Sequence, residues 1–337
     1  MKLLVTGGAG FIGSHFIRRM MRRRDVERII NVDKLTYAGH LQNLREFAGS
    51  PRYRFVRGDI ASPSLMNRLV AQVDIVINFA AETHVDRSIQ DAAPFLHSNV
   101  VGVHVLLEAA RAAKIRAFVQ ISTDEVYGSI ARGLATEKSL LAPSSPYSAS
   151  KAAADHLVLS YHATYGLPVM VTRAANNYGP FQYPEKFLPL FITHALENEA
   201  LPLYGDGRNV RDWLHVSDHC SGIEAVVRRG RPGAIYNIGA QRGFENIAVA
   251  RMLLKQLHRP ASLIQLVTDR PGHDRRYAMS IAKMRRELNW FPSIRFEDGL
   301  ADLADWYRLH ASWWRPILEK SKQYKSYYRK QYAGGRR

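Results

Sequence analysis

Short apolar runs recur through the first half of the chain, separated by stretches in which apolar residues return every three or four positions. The runs "KLLVT" (2–6), "RIINV" (28–32), "RFV" (54–56), "DIVINFA" (74–80), "AFVQIS" (117–122) and "PVMVTR" (168–173) predict strands. They are nearly continuous in apolar residues, as strands covered on both faces must be. Helical spacing over 11–24, 95–113 and 147–165 falls between several of them. This alternation predicts an α/β fold: a Rossmann-type, doubly wound parallel sheet wrapped by helices.

After about residue 175 the rhythm loosens. "NNYGPFQYPEKF" (176–187) is rich in Gly, Pro and Asn, which marks loop. A helix is expected near 187–198, a strand at "AIYNIG" (234–239), and helices over 246–257 and 280–289. The expected organisation is a dinucleotide-binding unit over 1–175, to which the strand near 234–239 returns. A smaller α/β substrate unit follows over 176–320, then a basic tail, 321–337.

Composition adds bounds. The chain has 337 residues, 46% of them hydrophobic and 23% charged, with ample length for a core. The single cysteine, Cys220, excludes an intramolecular disulfide and fits a reducing compartment. "MKLLVTGG" is too short for a signal-peptide core, and no run approaches the ~20 apolar residues of a membrane span. A soluble, cytoplasmic protein is expected, with no membrane partner.

The net charge is +17, from 47 basic and 30 acidic residues. Basic residues cluster at 18–24, at 228–231 and in the tail. Such clusters can contact nucleic-acid phosphates, or they can be solvated helix faces that attract a small anionic substrate. No nucleic-acid-binding motif accompanies them, so no nucleic-acid partner is expected.

Candidate chemistry begins after the first strand. In "VTGGAGFIGSHF" (5–16), Gly7 precedes Gly8-Ala9-Gly10-Phe11-Ile12-Gly13, which has dinucleotide-binding spacing. Glycine permits a tight turn and close approach to a pyrophosphate, which the helix N-terminus then holds. Asp33 ends the next strand, 20 residues beyond Gly13. A carboxylate there accepts from a ribose diol and repels a 2′-phosphate, so NAD is favoured over NADP.

Tyr147 and Lys151 lie four apart in "SSPYSASKAAADHL" (144–157), on one face of a helix opened by Pro146. An ammonium near a phenol is expected to lower the phenol's pKa and make a usable base. "STDEVYG" (122–128) sets Asp124 and Glu125 side by side after a buried strand, where unpaired carboxylates are costly.

The glycine turn, "NFAAETHVDRS" (78–88) and Tyr147-x-x-x-Lys151 together resemble the extended short-chain dehydrogenase/reductase family. "DKLTYAG" (33–39), "STDEVYG", "PSSPYSASK" (143–151), "NNYGPFQYPEK" (176–186), "RDW" (211–213) and "DRPGHDRRY" (269–277) narrow the resemblance. They are similar to its nucleotide-sugar 4,6-dehydratases, those acting on dTDP-glucose. The resemblance runs from residue 2 to about 310.

It implies an NAD-dependent hydro-lyase that oxidises the sugar at C4, eliminates water across C5–C6 and restores NAD at C6. Elimination needs a base for the C5 proton and an acid for the C6 hydroxyl. The residues leave open which carboxyl does which; the resemblance assigns Glu125 as base and Asp124 as acid, with Thr123 beside O4. Asp124 must then be protonated, its pKa raised by burial or by Glu125.

The resemblance also implies cofactor contacts: Phe11 and Ile12 to the pyrophosphate, Asp33, Lys34, Leu35 and Thr36 to the ribose, and Asp59 and Ile60 to the adenine. Ala80, Ala81 and Asn177 join them. On the substrate side it implies His84, Asn176, Lys186, Phe187, Pro202, Leu203, Tyr204, Arg211, Asn246, Arg270 and His273. It further implies a homodimer built on 95–113 and 147–165. No Cys/His cluster has metal-ligand spacing, so no metal is expected.

Departures are small: Thr83 and Ser98 stand where serine and threonine are common, and Ala174-Ala175 where more polar residues are usual. The rival readings are a 4-epimerase or decarboxylase on the same fold, a dehydratase for another nucleotide's sugar, and an idle NAD-binding protein that binds nucleic acid.

Overall fold

The computed structural model describes residues 1–320, Lys325 and Tyr328. The expected strands form as β1 (Lys2–Thr6), β2 (Arg28–Asp33), β3 (Tyr53–Arg57), β4 (Ile75–Asn78), β5 (Ala117–Thr123) and β6 (Val169–Ala174). The later strands are β7 (Asn176–Tyr178), β8 (Leu201–Tyr204), β9 (Val210–His215), β10 (Ile235–Ile238), β11 (Gly243–Glu245) and β12 (Ile264–Val267). The first helices are α1 (Phe11–Met21), α2 (Pro63–Val70), α3 (Val85–Gln90), α4 (Ala93–Leu96), α5 (Gly102–Ala113) and α6 (Pro146–Tyr165). Then come α7 (Phe187–Leu196), α8 (Val216–Arg229), α9 (Asn246–Gln256), α10 (Ala282–Leu288), α11 (Phe296–Leu309) and α12 (Ala311–Lys320).

The main sheet has the order β10-β6-β5-β4-β1-β2-β3, with every neighbouring pair parallel. The winding moves outward from β1 to β3 and then reverses at β4. A crevice therefore opens at the carboxyl ends of β1 and β4, where open α/β sheets bind ligands. Alternation along the strands fills two layers. Leu3, Val5, Ile29, Ile75 and Ile77 pack with Phe16, Ile17 and Ile223 on one side. Leu4, Ile30, Val32 and Val76 pack with Leu106, Leu107 and Val158 on the other.

The return of the chain is visible in the packing. α8 packs on α1, and β10 lies beside β6. Small sheets β11-β9-β7 and β12-β8, with a second apolar cluster around Phe191, Trp213 and Tyr307, make up the remainder.

Helix α6 starts from a reciprocal cap: Ser148 N donates to Ser145 Oγ at 3.1 Å, and Ser145 N donates to Ser148 Oγ at 3.0 Å. Gly166, in the left-handed region, ends it. The helix expected over 95–113 forms as one continuous run, with a widened turn inside it. The widened turn, His97–Val101, joins α4 to α5. It carries buried Asn99, whose side chain accepts from Glu82 N (3.0 Å) and donates to Glu82 O (3.1 Å) and Ser150 Oγ (2.8 Å). Those bonds tie the loop after β4 to α6.

Two basic clusters turn out to be one structure. Arg19 from α1, Arg23 just beyond its end and Arg228 from α8 converge on buried Glu224 at 2.6, 2.8 and 2.9 Å. Arg228 also reaches Asp25 at 2.9 Å, and Arg18 pairs with Glu46 at 2.6 Å. The basic tail, 321–337, lies outside the described residues apart from Lys325 and Tyr328.

Burial alone would raise the Glu224 pKa, but hydrogen bonds from Arg23, Arg19 and Arg228 hold it below its ordinary value. A depressed folded value gives stability that is present above the unfolded pKa and lost as pH falls through the folded one. Glu224→Gln should therefore lower stability at neutral pH by about 1–3 kcal/mol. It should also flatten the decline on the acid side. Urea unfolding across pH measures both.

Candidate active site

β1 hands the chain to Gly7, whose φ is +66° and where a Cβ would lie 2.6 Å from Ala80 N. No side chain fits. At Gly13 a Cβ would meet Gly7 O at 2.5 Å, so α1 can press onto the turn only through a glycine. Gly10 precedes α1 without a side-chain cap, which leaves the first-turn amides for an anion. These features fit a dinucleotide pyrophosphate.

Asp33 closes β2 over the turn: Oδ2 accepts from Ala9 N at 3.0 Å and Oδ1 from Leu35 N at 2.8 Å. Asp59 faces Lys34 at 2.7 Å and His97 at 3.1 Å. Burial opposes its ionisation, yet hydrogen bonds from Lys34, Ala61 N and His97 bring its pKa down to about 2.

One continuous cavity runs from this turn to the end of β5. Its wall includes Gly7, Gly10, Phe11, Ile12, Gly13, Asp33, Lys34, Thr36, Asp59, Ile60, Ala80 and Ala81. Farther along lie Thr123, Asp124, Glu125, Tyr147, Lys151, Asn176, Asn177 and Lys186. Leu35 is not on the wall. It sits in the left-handed region (φ 56°), turned by the bond of its own amide to Asp33.

The adjacent acids have a structural cause. β5 ends at Thr123 and the backbone tightens into a short 3-10 turn, Asp124–Tyr127. Thr123 Oγ1 accepts from Glu125 N at 3.3 Å and lies 3.3 Å from Asp124 Oδ1. Asp124 Oδ2 is buried with no protein partner. Burial, then the charges of Glu125 and Asp212, push the Asp124 pKa well up. Burial also raises Glu125, but Arg270, Arg211 and Lys186 oppose it. The same field therefore favours a protonated Asp124 more than a protonated Glu125.

Tyr147 and Lys151 depart from expectation. Burial, reinforced by Glu125, pushes the Tyr147 phenol up, with only a Thr123 hydrogen bond opposing. Lys151 Nζ instead donates to Ile121 O at 2.7 Å. Its pKa falls to about 8 through burial, with Asp155 opposing. Desolvation outweighs the attraction expected between phenol and ammonium, because both groups lie in the water-poor end of the sheet.

The family model described as GDP-mannose 4,6 dehydratase matches residues 4–303. The chain belongs to that family. A dTDP-glucose 4,6-dehydratase from Actinoplanes sp. is 51% identical over 319 residues, spanning 93% of this chain and 100% of the relative. One from Xanthomonas campestris pv. campestris (strain B100) is 48% identical over 339 residues, spanning 94% and 96%. Among solved structures, a dTDP-glucose 4,6-dehydratase from Streptomyces venezuelae with NAD bound superposes with a TM-score of 0.93 at 49% identity. It covers 94% of this chain and 100% of the other.

In this member of the GDP-mannose 4,6 dehydratase family, the second half adds a ring of cations near Glu125. Lys186 Nζ donates to Thr83 O at 3.0 Å, and Arg270 pairs with Asp86 at 3.3 Å. Tyr204 donates to the same Asp86 at 3.1 Å and meets His273 edge-on at 6.0 Å. His273 also lies 2.6 Å from Asp269. Arg211 lies over the Tyr277 ring at 4.2 Å and donates to Asp274 O at 2.9 Å. Asn246 opens α9 with its amide on Asn209 O at 3.0 Å, and its Oδ1 is buried without a protein partner. Asn177 Oδ1 accepts from His219 Nδ1 at 2.8 Å.

Of the expected substrate contacts, Thr123, Asn176 and Lys186 lie on the cavity wall, whereas His84, Phe187, Pro202, Leu203, Tyr204, Arg211, Asn246, Arg270 and His273 do not. Phe187 packs on Phe191 at 4.3 Å and on Trp213 at 5.7 Å, inside the second apolar cluster. Pro202 and Leu203 are buried in β8. His84 is buried near Glu185, 3.9 Å away. Among the described residues, no group of three or more His, Cys, Asp or Glu side chains could hold a metal ion.

Sequence reasoning missed Glu185, whose fully buried side chain meets Arg87 at 2.8 Å, and also Asp86 and His219. Asp86 and Arg87 do lie inside "NFAAETHVDRS", but their partners are 184 and 98 positions away.

Gly13→Ala should reduce NAD affinity by about tenfold or more, because the added methyl cannot clear Gly7 O without moving α1. Calorimetric titration of the purified protein with NAD checks this.

Proposed function

We propose that this chain converts dTDP-glucose to dTDP-4-keto-6-deoxy-glucose and water, using NAD that is restored in every turnover. The observation that carries the reading is the pair of buried Asp124 and half-buried Glu125 beside Tyr147 at the end of β5. A 4-epimerase has no step that needs two carboxyls there. The likeness to dTDP-glucose 4,6-dehydratases over more than nine-tenths of the chain supports the substrate.

The residues that would hold NAD are the amides of Gly10 to Gly13 at its pyrophosphate, Asp33 and Thr36 at a ribose, and Asp59 and Ile60 at the adenine. When bound, NAD supplies the hydride acceptor for C4 and the donor for C6. Tyr147, with the Thr123 hydroxyl beside it, would take the proton of O4 once the positive charge that bound NAD brings to the cavity offsets the burial that raises its phenol. The resulting ketone acidifies C5–H; Glu125 takes that proton and, after exchange with solvent, returns one to C5 as C6 is reduced. Asp124, kept neutral by burial and by its neighbours' charge, gives a proton to the departing C6 hydroxyl. Proton transfer by a positioned group of suitable pKa is worth about 10²–10⁴ in rate. Lys186, Arg211 and Arg270 hold the diphosphate, for which guanidinium groups supply paired donors.

The protein is also proposed to work in the cytoplasm as a homodimer. Among the described residues, no helix is long and apolar enough to cross a membrane. Leu96 and Val101, on α4 and the wide turn after it, are half-exposed apolar residues that a second copy would cover.

Purified protein incubated with dTDP-glucose and NAD in deuterated water should give the 4-keto-6-deoxy product with one solvent deuterium at C5 and no net reduced cofactor. A 4-epimerase would leave C5 unlabelled. Asp124→Asn should slow water loss while C4 oxidation survives, so reduced cofactor builds up on the enzyme. The raised Asp124 pKa fixes the sign of the pH effect. The donor is present below that value and lost above it, so turnover falls on the alkaline side.

A further inference from the structure

Four buried polar residues that do not line the cavity connect its two catalytic elements. Asp155 lies one turn beyond Lys151 on α6, and its Oδ2 accepts from Arg173 Nε at 2.9 Å. Arg173, on β6, sits in register between Ser122 of β5 and Asn237 of β10. Its Nη1 donates to the Tyr127 hydroxyl at 3.0 Å, and its guanidinium lies 4.9 Å from that ring's centre. The Tyr127 hydroxyl donates in turn to Asn237 Oδ1 at 2.8 Å. Tyr127 is the last residue of the 3-10 turn that carries Asp124 and Glu125.

Stability alone does not account for this chain of contacts. Well-packed apolar residues in place of a buried ion pair are often equally stable. What a guanidinium fork adds is fixed geometry between its acceptors, and in a water-poor interior those bonds resist distortion. The acid turn needs such a fixture. Its own bonds are long, with Gly128 N to Glu125 O at 3.2 Å and Glu125 N to Thr123 Oγ1 at 3.3 Å.

We propose that Asp155, Arg173 and Tyr127 are positioning residues: a strut from the Tyr147–Lys151 helix to the Asp124–Glu125 turn that sets the geometry of water loss. The kinetic part of this inference rests on the proposed dehydration.

Tyr127→Phe keeps the ring and removes both bonds made through the hydroxyl. Turnover of dTDP-glucose should fall roughly 10- to 100-fold, the cost of a small misplacement of reacting groups. KM should stay within about twofold. Reduced-nicotinamide absorbance should build up during turnover, because oxidation now outruns elimination. Amide hydrogen exchange over 124–128 should quicken, with the rest of β5 unchanged. Arg173→Lys, which keeps the charge but not the fork, should give the same signature.

Unchanged turnover overturns the strut, as does a loss in which KM rises and no reduced cofactor accumulates. A wild-type protein inert on dTDP-glucose would instead refute the dehydration. Exchange then judges the strut alone: equal protection of 124–128 in wild type and Tyr127→Phe overturns it.

Discussion

Exclusion of water at the carboxyl ends of β4, β5 and β6 is the constraint on which the rest of this molecule turns. Burial is the first cause of every large pKa displacement there. It lifts Asp124 and Tyr147, lowers Lys151 to about 8 and takes His219 down to about 3. A site dried in this way drives each group toward its neutral form. Glu125 differs because Arg270, Arg211 and Lys186 face it and oppose its protonation. Two carboxyls adjacent in the chain are thus separated in character by what the second half of the protein brings to each: Asp212 and Arg211 to Asp124, and three cations to Glu125.

The dryness follows from the sheet. Parallel strands covered on both faces leave no solvated side at which a polar group could relax. Where the apolar layers stop, polar groups satisfy one another across strands. Thr6 Oγ1 donates to Asn78 Oδ1 at 2.5 Å, and Asn78 Nδ2 donates to Gln120 Oε1 at 2.8 Å. This buried ladder marks the floor of the crevice, one residue short of the glycine turn.

The parts of this architecture that sequence makes legible are those encoded locally. All seven strands of the main sheet read as short apolar runs, β10 among them, since burial on both faces needs only side-chain type. The glycine turn, Asp33, the Tyr147–Lys151 spacing and the acid pair are equally local, and the cavity gathers all of them. Helix α8 was not legible, because its buried positions include Asp218, His219 and Glu224, whose partners come from other elements. Strands β7 and β11, three residues each, are too short to show a period. The widened helical turn at His97–Val101 carries Asn99, whose partners Glu82 and Ser150 lie 17 and 51 positions away. The direction of the Tyr147 shift was misjudged for the same reason: spacing places an ammonium one turn away, but not the carbonyl of Ile121 that engages it.

One carboxylate described above carries two duties. Asp33 faces the region proposed for the adenosine sugar, and each of its oxygens also accepts one backbone amide, from Ala9 N and Leu35 N. The side chain that would discriminate between phosphorylated and plain ribose is therefore also the clasp of the loop that receives the phosphates. Evolution or engineering that swaps this group to change coenzyme preference unfastens the loop in the same stroke. Selectivity and grip form a single inherited trait here, and a lineage that alters one must rebuild the other.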